Sequence, residues 1–182
     1  SPIRELFDSL YGTEKTASAV TASPFLGLLN SGLQLFWLKH NKPDHFKRIH
    51  TSLHLPQYFT YLLTGKTFCD ITSVGCHTML WDFQRQDYHE WVRREEFVKL
   101  FPAIQRADYT FTSSFLNQSM KAGVGVHDSS AALMPYLAIR QEPFLLLSTG
   151  TWNICFNPFN NDPLTPKELA ADCLCFLTYE SK

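Results

Sequence analysis

The chain has 182 residues, of which 45% are apolar and 18% are charged, a composition typical of a folded globular chain and not of a disordered one. Its 16 basic and 17 acidic side chains leave a formal charge of −1 at pH 7, so the sequence offers no basic surface for nucleic acid or an anionic membrane. No apolar run is long enough to span a bilayer, and the five cysteines have neither disulfide-framework nor zinc-site spacing. These features predict a cytoplasmic chain with free, mostly buried thiols.

Two helices are predicted in the first third of the chain. Residues 31–40 carry a run of apolar side chains that Asn30 or Ser31 would cap at its start. A second helix begins near Leu55, with a proline in its first turn. It ends at Gly65, because glycine suits the left-handed conformation that often follows a helix.

A third helix is predicted over residues 89–100, where apolar side chains alternate with charges and residues 93–96 form a solvated face. Residues 124–126 then predict a short strand, and 128–130 predict a helix start. This alternation of helices and strands indicates an α/β fold.

The last part of the chain predicts a hairpin, with a buried strand at 144–147, a tight turn at 148–151 and a returning strand at 152–156. A loop follows at 157–163, and then a helix with Thr165 and Glu168 as a capping box. Cys173 and Cys175 are predicted to lie on one face of a strand.

Asp128 lies where a glycine-rich strand end meets a helix start, and two interpretations stay open. In the first, its carboxylate is the N-cap of the helix. In the second, it is a general base at the carboxyl end of a strand, where ligand sites of α/β proteins open. The roles conflict in part, because capping lowers the pKa of a carboxylate while a base needs a free oxygen. Ser129 as the cap would leave Asp128 free.

The second candidate site is the Ser-Thr-Gly-Thr sequence at 148–151. A turn with glycine at its tip and hydroxyls on both sides can wrap a phosphate with backbone N–H groups and a threonine hydroxyl. The same sequence also suits an ordinary β-hairpin. Its position after the carboxylate-bearing strand and helix favours the phosphate site.

Other reactive residues do not form a recognisable site. We exclude Cys76 and His77 as a nucleophile and base, because adjacent residues do not easily face each other and no third group orients them. The histidines at 45, 50 and 54 are interpreted as surface or core residues and not as helical metal ligands, because Pro56 interrupts this segment. A G-x-S-x-G elbow and a P-loop are both absent from the sequence, so phosphate handling would fall to hairpins.

Several motifs follow one another in a fixed order: Trp37-Leu38 before Pro43, Leu-Thr-Gly at 63–65, Asp70-Ile-Thr72, Leu80-Trp-Asp82, Gly-Val-His-Asp-Ser-Ser at 125–130, and Ser-Thr-Gly-Thr-Trp at 148–152. In this order they resemble the FGGY family of carbohydrate kinases, over residues 21–160. The His-Asp pair and the tryptophan after Gly-Thr are most similar to the L-rhamnulose and L-fuculose kinase branch.

The resemblance implies a ribonuclease-H-like, actin-like ATPase fold, with residues 1–140 as the later part of domain I and 141–182 as the start of domain II. It implies transfer of the γ-phosphate of ATP, with Mg²⁺, to a hydroxyl of a ketose such as L-rhamnulose, L-fuculose or xylulose. Asp128 would match the catalytic base. The other matching residues would be His127, Ser129 and Asn30 near the sugar, and Thr149, Gly150 and Thr151 at the phosphate. No residue is assigned to a metal.

The sequence also departs from the family pattern, because the first Asp-x-Gly-Thr hairpin and the later glycine-rich adenosine segment are not in it. The stretch between 102 and 128 is short for the family. We therefore expect residues 1–182 alone to be inactive as a kinase, so that adding ATP and a ketose releases no ADP.

Two other function classes stay open. One is a non-catalytic actin-fold module that binds nucleotide or sugar, and the other is an ATPase of the chaperone or actin type. The expected partners are ATP and a sugar, with no nucleic acid and no membrane, and a homodimer is allowed.

Overall fold

The computed structural model describes residues 2–12, 14–140, 142–149, 153–175 and 177–180. None of the helices in these ranges has the length and apolarity needed to cross a membrane. The helices are α1 (Pro2–Tyr11), α2 (Glu14–Val20), α3 (Ser31–Asn41), α4 (Pro43–Phe46), α5 (Leu55–Thr64), α6 (Ile71–Val74), α7 (Glu90–Arg94), α8 (Asp128–Ile139) and α9 (Pro166–Ala170). The strands are β1 (Cys69–Asp70), β2 (Trp81–Asp82), β3 (Asp87–Tyr88), β4 (Ile104–Gln105), β5 (Thr110–Phe115), β6 (Gln118–Gly123), β7 (Leu146–Ser148) and β8 (Ile154–Phe156).

The first two predicted helices are confirmed as α3 and α5. Gly65 ends α5 in the left-handed conformation, with φ of 69°. Its N–H donates to the Tyr61 carbonyl over 2.7 Å, which closes the last turn of the helix.

The single helix predicted over 89–100 is wrong. Helix α7 stops at Arg94, and a 3-10 helix follows from Phe97 to Leu100, because Glu96 adopts a left-handed conformation with φ of 61° between them.

The solvated face predicted for residues 93–96 is also wrong at Glu95, which is 5% exposed. Its carboxylate accepts hydrogen bonds from Lys39, His40 and Tyr11. Burial alone would raise the pKa of Glu95, but these hydrogen bonds lower it.

The core lies among the first hundred residues and is centred on Trp91. The rings of Phe7, Phe36 and Phe97 meet its indole nearly edge-on, with centroid distances of 5.4, 6.1 and 5.8 Å. The indole N–H donates to the Met79 carbonyl over 2.9 Å, so the polar atom of the buried ring is satisfied. These contacts join α1, α3 and α7 into one packed unit.

The described strands form sheets of two strands each. β1 and β4 are parallel, and the other three pairs are antiparallel. The predicted α/β alternation is therefore present, although most of the strand pairing is local. The short stretch between residues 102 and 128 holds the β5–β6 hairpin, with Thr110 opposite Gly123.

The strand predicted at 124–126 is wrong, because β6 ends at Gly123 and the next four residues connect it to α8. Val124 is fully buried in this connection, so its apolar character reflects burial and not strand pairing. Gly125 has φ of +81°, and a Cβ there would lie 2.8 Å from the Pro56 carbonyl oxygen. The glycine permits both the conformation and the close approach to α5.

The two later strands are confirmed in part as β7 and β8, which pair with Leu146 opposite Phe156. The tight turn predicted at 148–151 lies partly outside the described residues, and the predicted burial of the first strand is wrong. Leu145 and Leu147 are 68% and 64% exposed, because no element in the described ranges covers that face. The helix with the Thr165–Glu168 capping box is confirmed as α9.

The cysteine predictions are wrong in two respects. Cys173 and Cys175 lie outside any described strand, and only Cys69 and Cys76 are buried, although all five cysteines are free. Farther along the chain, Leu177 packs against the core. The Leu177 carbonyl also accepts a hydrogen bond from the Ser130 hydroxyl over 2.8 Å. The division at residue 140 into two domains stays a prediction.

Gly32 lies at a close contact between α3 and the segment before β2. Its N–H donates to the Thr78 carbonyl over 3.1 Å, and a Cβ there would lie 2.7 Å from Leu80 Cδ2 and 2.8 Å from the Thr78 oxygen. We predict that Gly32→Ala lowers the free energy of unfolding by about 1–3 kcal/mol, because the methyl group overpacks this contact. Urea denaturation of the chain measures the change.

Gln34→Ala on the exposed side of the same helix is the control, with an expected change within about 0.5 kcal/mol. A Gly32→Ala chain as stable as the parent would contradict the prediction, since alanine normally stabilises an unhindered helix.

Candidate active site

Asp128 is the first residue of α8, and its side chain is 92% exposed. Its Oδ1 accepts a hydrogen bond from the Ser129 N–H at 2.7 Å and lies 3.4 Å from the Ser129 hydroxyl. Its Oδ2 meets no hydrogen-bond donor among the described residues. The carboxylate therefore has one oxygen held by the helix start and one oxygen open to a ligand.

The cap of α8 is His127, so both capping alternatives taken from the sequence are wrong. Its Nδ1 accepts from the Ser129 N–H at 3.3 Å. Capping by an imidazole leaves the carboxylate of Asp128 outside the cap position. It still lies within the first turn, where the helix dipole favours a negative charge.

The Nδ1 atom of His127 has two competing neighbours. It also lies 3.1 Å from Asp128 Oδ1, and an ion pair there would need a proton on the atom that accepts from Ser129. Burial lowers the pKa of His127; Asp128 opposes that shift and His77 adds to it. The neutral ring, with its Nδ1 lone pair free for the cap, is therefore favoured.

Helix α5 fixes the connection that leads to Asp128. The Gln57 side-chain amide donates to the Gly125 carbonyl at 2.8 Å, and the Thr60 hydroxyl donates to the Gly123 carbonyl at 3.2 Å. Both side chains are buried. Sequence reasoning missed this role, although the spacing of Gln57 and Thr60 placed two polar side chains on one face of the helix, where they can bind backbone.

Cys76 and His77 lie beside this helix start. The Cys76 sulfur is 3.1 Å from His77 Nδ1, so the sequence argument that adjacent residues cannot meet is wrong. The ring of His77 stands perpendicular to that of His127, with centroids 5.9 Å apart. Burial, with a contribution from Asp128, raises the pKa of the Cys76 thiol to about 12. The exclusion of a cysteine nucleophile therefore still holds, because the thiol stays protonated.

Asn30 occupies the cap position of α3 but makes no capping hydrogen bond with its side chain. Its Oδ1 accepts from the Leu26 N–H at 2.7 Å, and its Nδ2 donates to the carbonyls of Pro24 and His77 at 3.1 and 2.7 Å. The residue is fully buried, and both of its donor hydrogens are used. This geometry gives Asn30 a structural role and lends no support to a sugar contact.

The predicted phosphate hairpin is only partly within the described residues. Thr149 follows β7 and is exposed. Gly150 and Thr151 lie outside the described residues. The antiparallel pairing of β7 with β8 fits a hairpin, and binding of phosphate by residues 149–151 stays a prediction.

The described residues contain no group of three or more His, Cys, Asp or Glu side chains arranged to hold a metal ion. A metal that approaches Asp128 would therefore need most of its ligands from outside this group of residues. Magnesium commonly binds in this way, through substrate phosphates, water and one or two carboxylates.

Comparisons with known proteins point to one family. The model of the FGGY family of carbohydrate kinases, N-terminal domain, matches residues 13–95. The chain is 31% identical over 135 residues to an L-fuculokinase of Escherichia coli, an alignment that covers 69% of this chain and 28% of that protein. It is 28% identical over 153 residues to a rhamnulokinase of Pectobacterium atrosepticum, covering 79% and 29%. The chain thus spans less than a third of the length of these curated relatives.

A solved structure extends the likeness to the fold. The crystal structure of a carbohydrate kinase from Novosphingobium aromaticivorans superposes with a TM-score of 0.77 at 32% identity. The superposition covers 91% of this chain and 39% of that one. The predicted fold, part of a ribonuclease-H-like, actin-like ATPase fold, is confirmed.

His54 provides a measurable electrostatic property near the site. Its Nε2 lies 3.0 Å from the Ser31 hydroxyl, and its Nδ1 is buried without a partner in the described residues. Burial, with a smaller contribution from His127, lowers its pKa from 6.5 to about 4. Between these values the unfolded chain binds a proton that the folded chain does not. The contribution of His54 to stability is therefore complete above pH 6.5 and is lost as the pH falls towards 4.

We predict that the urea midpoint of the chain falls over this pH range and that it falls less steeply in His54→Gln. His50→Gln, at an exposed histidine, should keep the slope of the parent. Equal slopes in the parent and His54→Gln would show that His54 does not titrate with a lowered pKa.

Proposed function

Because this chain belongs to the FGGY family of carbohydrate kinases, we propose that it carries the catalytic aspartate of an ATP-dependent sugar kinase. The supporting observation is Asp128, a carboxylate with one open oxygen at the start of α8. The proposal concerns the whole protein, since the chain spans 28% of the length of the related L-fuculokinase.

The proposed reaction is phosphoryl transfer to a sugar hydroxyl. Asp128 accepts a hydrogen bond from the hydroxyl through its open oxygen and takes the proton as the sugar oxygen attacks the γ-phosphorus. The bond from the γ-phosphorus to the bridging oxygen of ATP breaks, and ADP leaves. Most of the catalytic effect comes from alignment of the hydroxyl with the phosphate, which is the role of a carboxylate held at one oxygen.

His127 and Ser129 are the proposed sugar contacts. Both are partly exposed, and both lie within hydrogen-bond distance of the carboxylate that would hold the reacting hydroxyl. Neighbouring sugar hydroxyls would therefore meet them first. The buried and fully bonded Asn30 is not included.

The proposed nucleotide contacts are Thr149, Gly150 and Thr151. Backbone N–H groups at a glycine turn and a threonine hydroxyl suit the γ-phosphate. Magnesium would neutralise phosphate charge when it enters with ATP. The described residues offer it no ligand cage, and no step is assigned to it.

For the substrate we propose a ketose, with L-fuculose and L-rhamnulose first because the relatives named above are an L-fuculokinase and a rhamnulokinase. Xylulose is the pentulose alternative. The cytoplasmic location and the homodimer remain predictions from the sequence.

The test is Asp128→Asn in the full-length protein that contains this chain. The amide cannot accept the hydroxyl proton, so we expect kcat for ketose phosphorylation to fall roughly 100- to 10,000-fold. ATP binding, measured by calorimetry, should be unchanged. Coupled detection of ADP with each ketose measures the rate.

Asp44→Asn is the matched control, because Asp44 is 90% exposed and also lies in the first turn of a helix. We expect it to leave kcat unchanged. Near-normal kcat in Asp128→Asn would remove Asp128 from the mechanism, and sugar-independent nucleotide binding without turnover would favour a non-catalytic module.

A further inference from the structure

The backbone directly before Asp128 is bound by a side chain from a distant part of the chain. The N–H of His127 donates to the Thr72 hydroxyl oxygen over 2.9 Å. The two residues are separated by 55 positions in the sequence. Among the described hydrogen bonds from outside the helix, this is the one nearest in sequence to Asp128.

Asp70 orients the hydroxyl of Thr72 for this hydrogen bond, in which the backbone N–H of His127 can only be the donor. The single proton of the Thr72 hydroxyl is donated to Asp70 Oδ1, so the hydroxyl can only accept from His127. The same Oδ1 also accepts the N–H groups of Thr72 and Ser73 at 3.1 and 3.2 Å. Since Asp70 and Thr72 are both fully buried, water does not compete for these bonds.

Asp70 and Thr72 lie at the junction of β1 and α6, which belongs to the packed core. Cys69 and Ile71 on either side of Asp70 are members of the core cluster. The hydrogen bonds from Asp70 through Thr72 to His127 therefore link the packed core to residues 124–127, a loop that pairs with no strand.

We propose that Thr72 is a positioning residue for phosphoryl transfer. Its hydroxyl, oriented by Asp70, holds the backbone of His127 in place. The position of that backbone in turn sets the direction in which the side chain of Asp128 projects from α8. This inference rests on the proposed function. Without the Thr72 bond, α8 remains folded, but its first residue gains freedom to move relative to the sugar and the phosphate.

The central experiment compares two substitutions of Thr72 in the full-length protein. Thr72→Val keeps the shape of the side chain and removes the hydroxyl, and a misplaced carboxylate should lower kcat roughly 10- to 100-fold. KM for sugar and for ATP should change little, because Thr72 is fully buried. Thr72→Ser restores the hydroxyl and should return kcat to within about threefold of the parent.

Thr78→Val is the matched control for the loss of a buried hydroxyl. Thr78 is 4% exposed. Its hydroxyl also donates to one group and accepts a backbone N–H, in this case the Val74 carbonyl and the Leu80 N–H. We expect a loss of stability similar to that of Thr72→Val, with kcat preserved. An equal fall of kcat in both valine variants would overturn the proposal, because it would follow from lost stability alone.

A double-mutant cycle with Asp128→Asn tests whether Thr72 acts through Asp128. If it does, adding Thr72→Val to Asp128→Asn should lower kcat by no more than about twofold further. Losses that multiply would show that Thr72 acts elsewhere and would overturn the proposal.

The two proposals fail in different ways. Impaired Asp128→Asn together with normal Thr72→Val overturns only the positioning role. Normal Asp128→Asn overturns the catalytic assignment and the positioning role with it. If Thr72→Val does not fold, Asp70→Asn replaces it, since the neutral amide oxygen holds the hydroxyl more weakly. A several-fold lower kcat is then expected, and an unchanged kcat overturns the proposal.

Discussion

The backbone between β6 and α8 leaves the sheet at Gly123, and its polar groups then depend on side chains from other segments. Gln57 and Thr60 of α5 bind its carbonyls, and Thr72 binds its last N–H. Buried backbone groups without such partners would cost free energy comparable to a lost hydrogen bond each. The place of Asp128 in space therefore depends on polar contacts made far away in the sequence, and the aromatic core around Trp91 provides the rigid support for part of them.

The sequence predicted elements whose signal is local. The proline and glycine that begin and end α5, and the Thr165–Glu168 box of α9, act through their own backbone neighbours and need no tertiary contact. The family and the fold were predicted in the same way, from short motifs in a fixed order. The comparisons confirm both the family and the fold.

Predictions that depend on tertiary contact were wrong or incomplete. Glu95 looks like a surface residue until Lys39 and His40 are placed beside it, and Val124 looks like a strand residue although it is buried in a connection. The cap of α8 was missed because histidine is an uncommon capping residue and Asp128 and Ser129 are common ones. The roles of Gln57 and Thr72 require knowing which backbone passes them. Thr149 could be located, while the phosphate-binding role of the turn that follows it remains a prediction.

The exposure of Asp128 also bears on chemical selectivity. An open carboxylate oxygen orients a water molecule by accepting the same kind of hydrogen bond that it would accept from a sugar hydroxyl, and water is far more abundant. A kinase built around this residue would hydrolyse its nucleotide unless another surface closes over the carboxylate once the sugar is bound. On the proposed mechanism the helix start would therefore supply reactivity without discrimination, and the choice between a sugar and water would be made by whatever covers it.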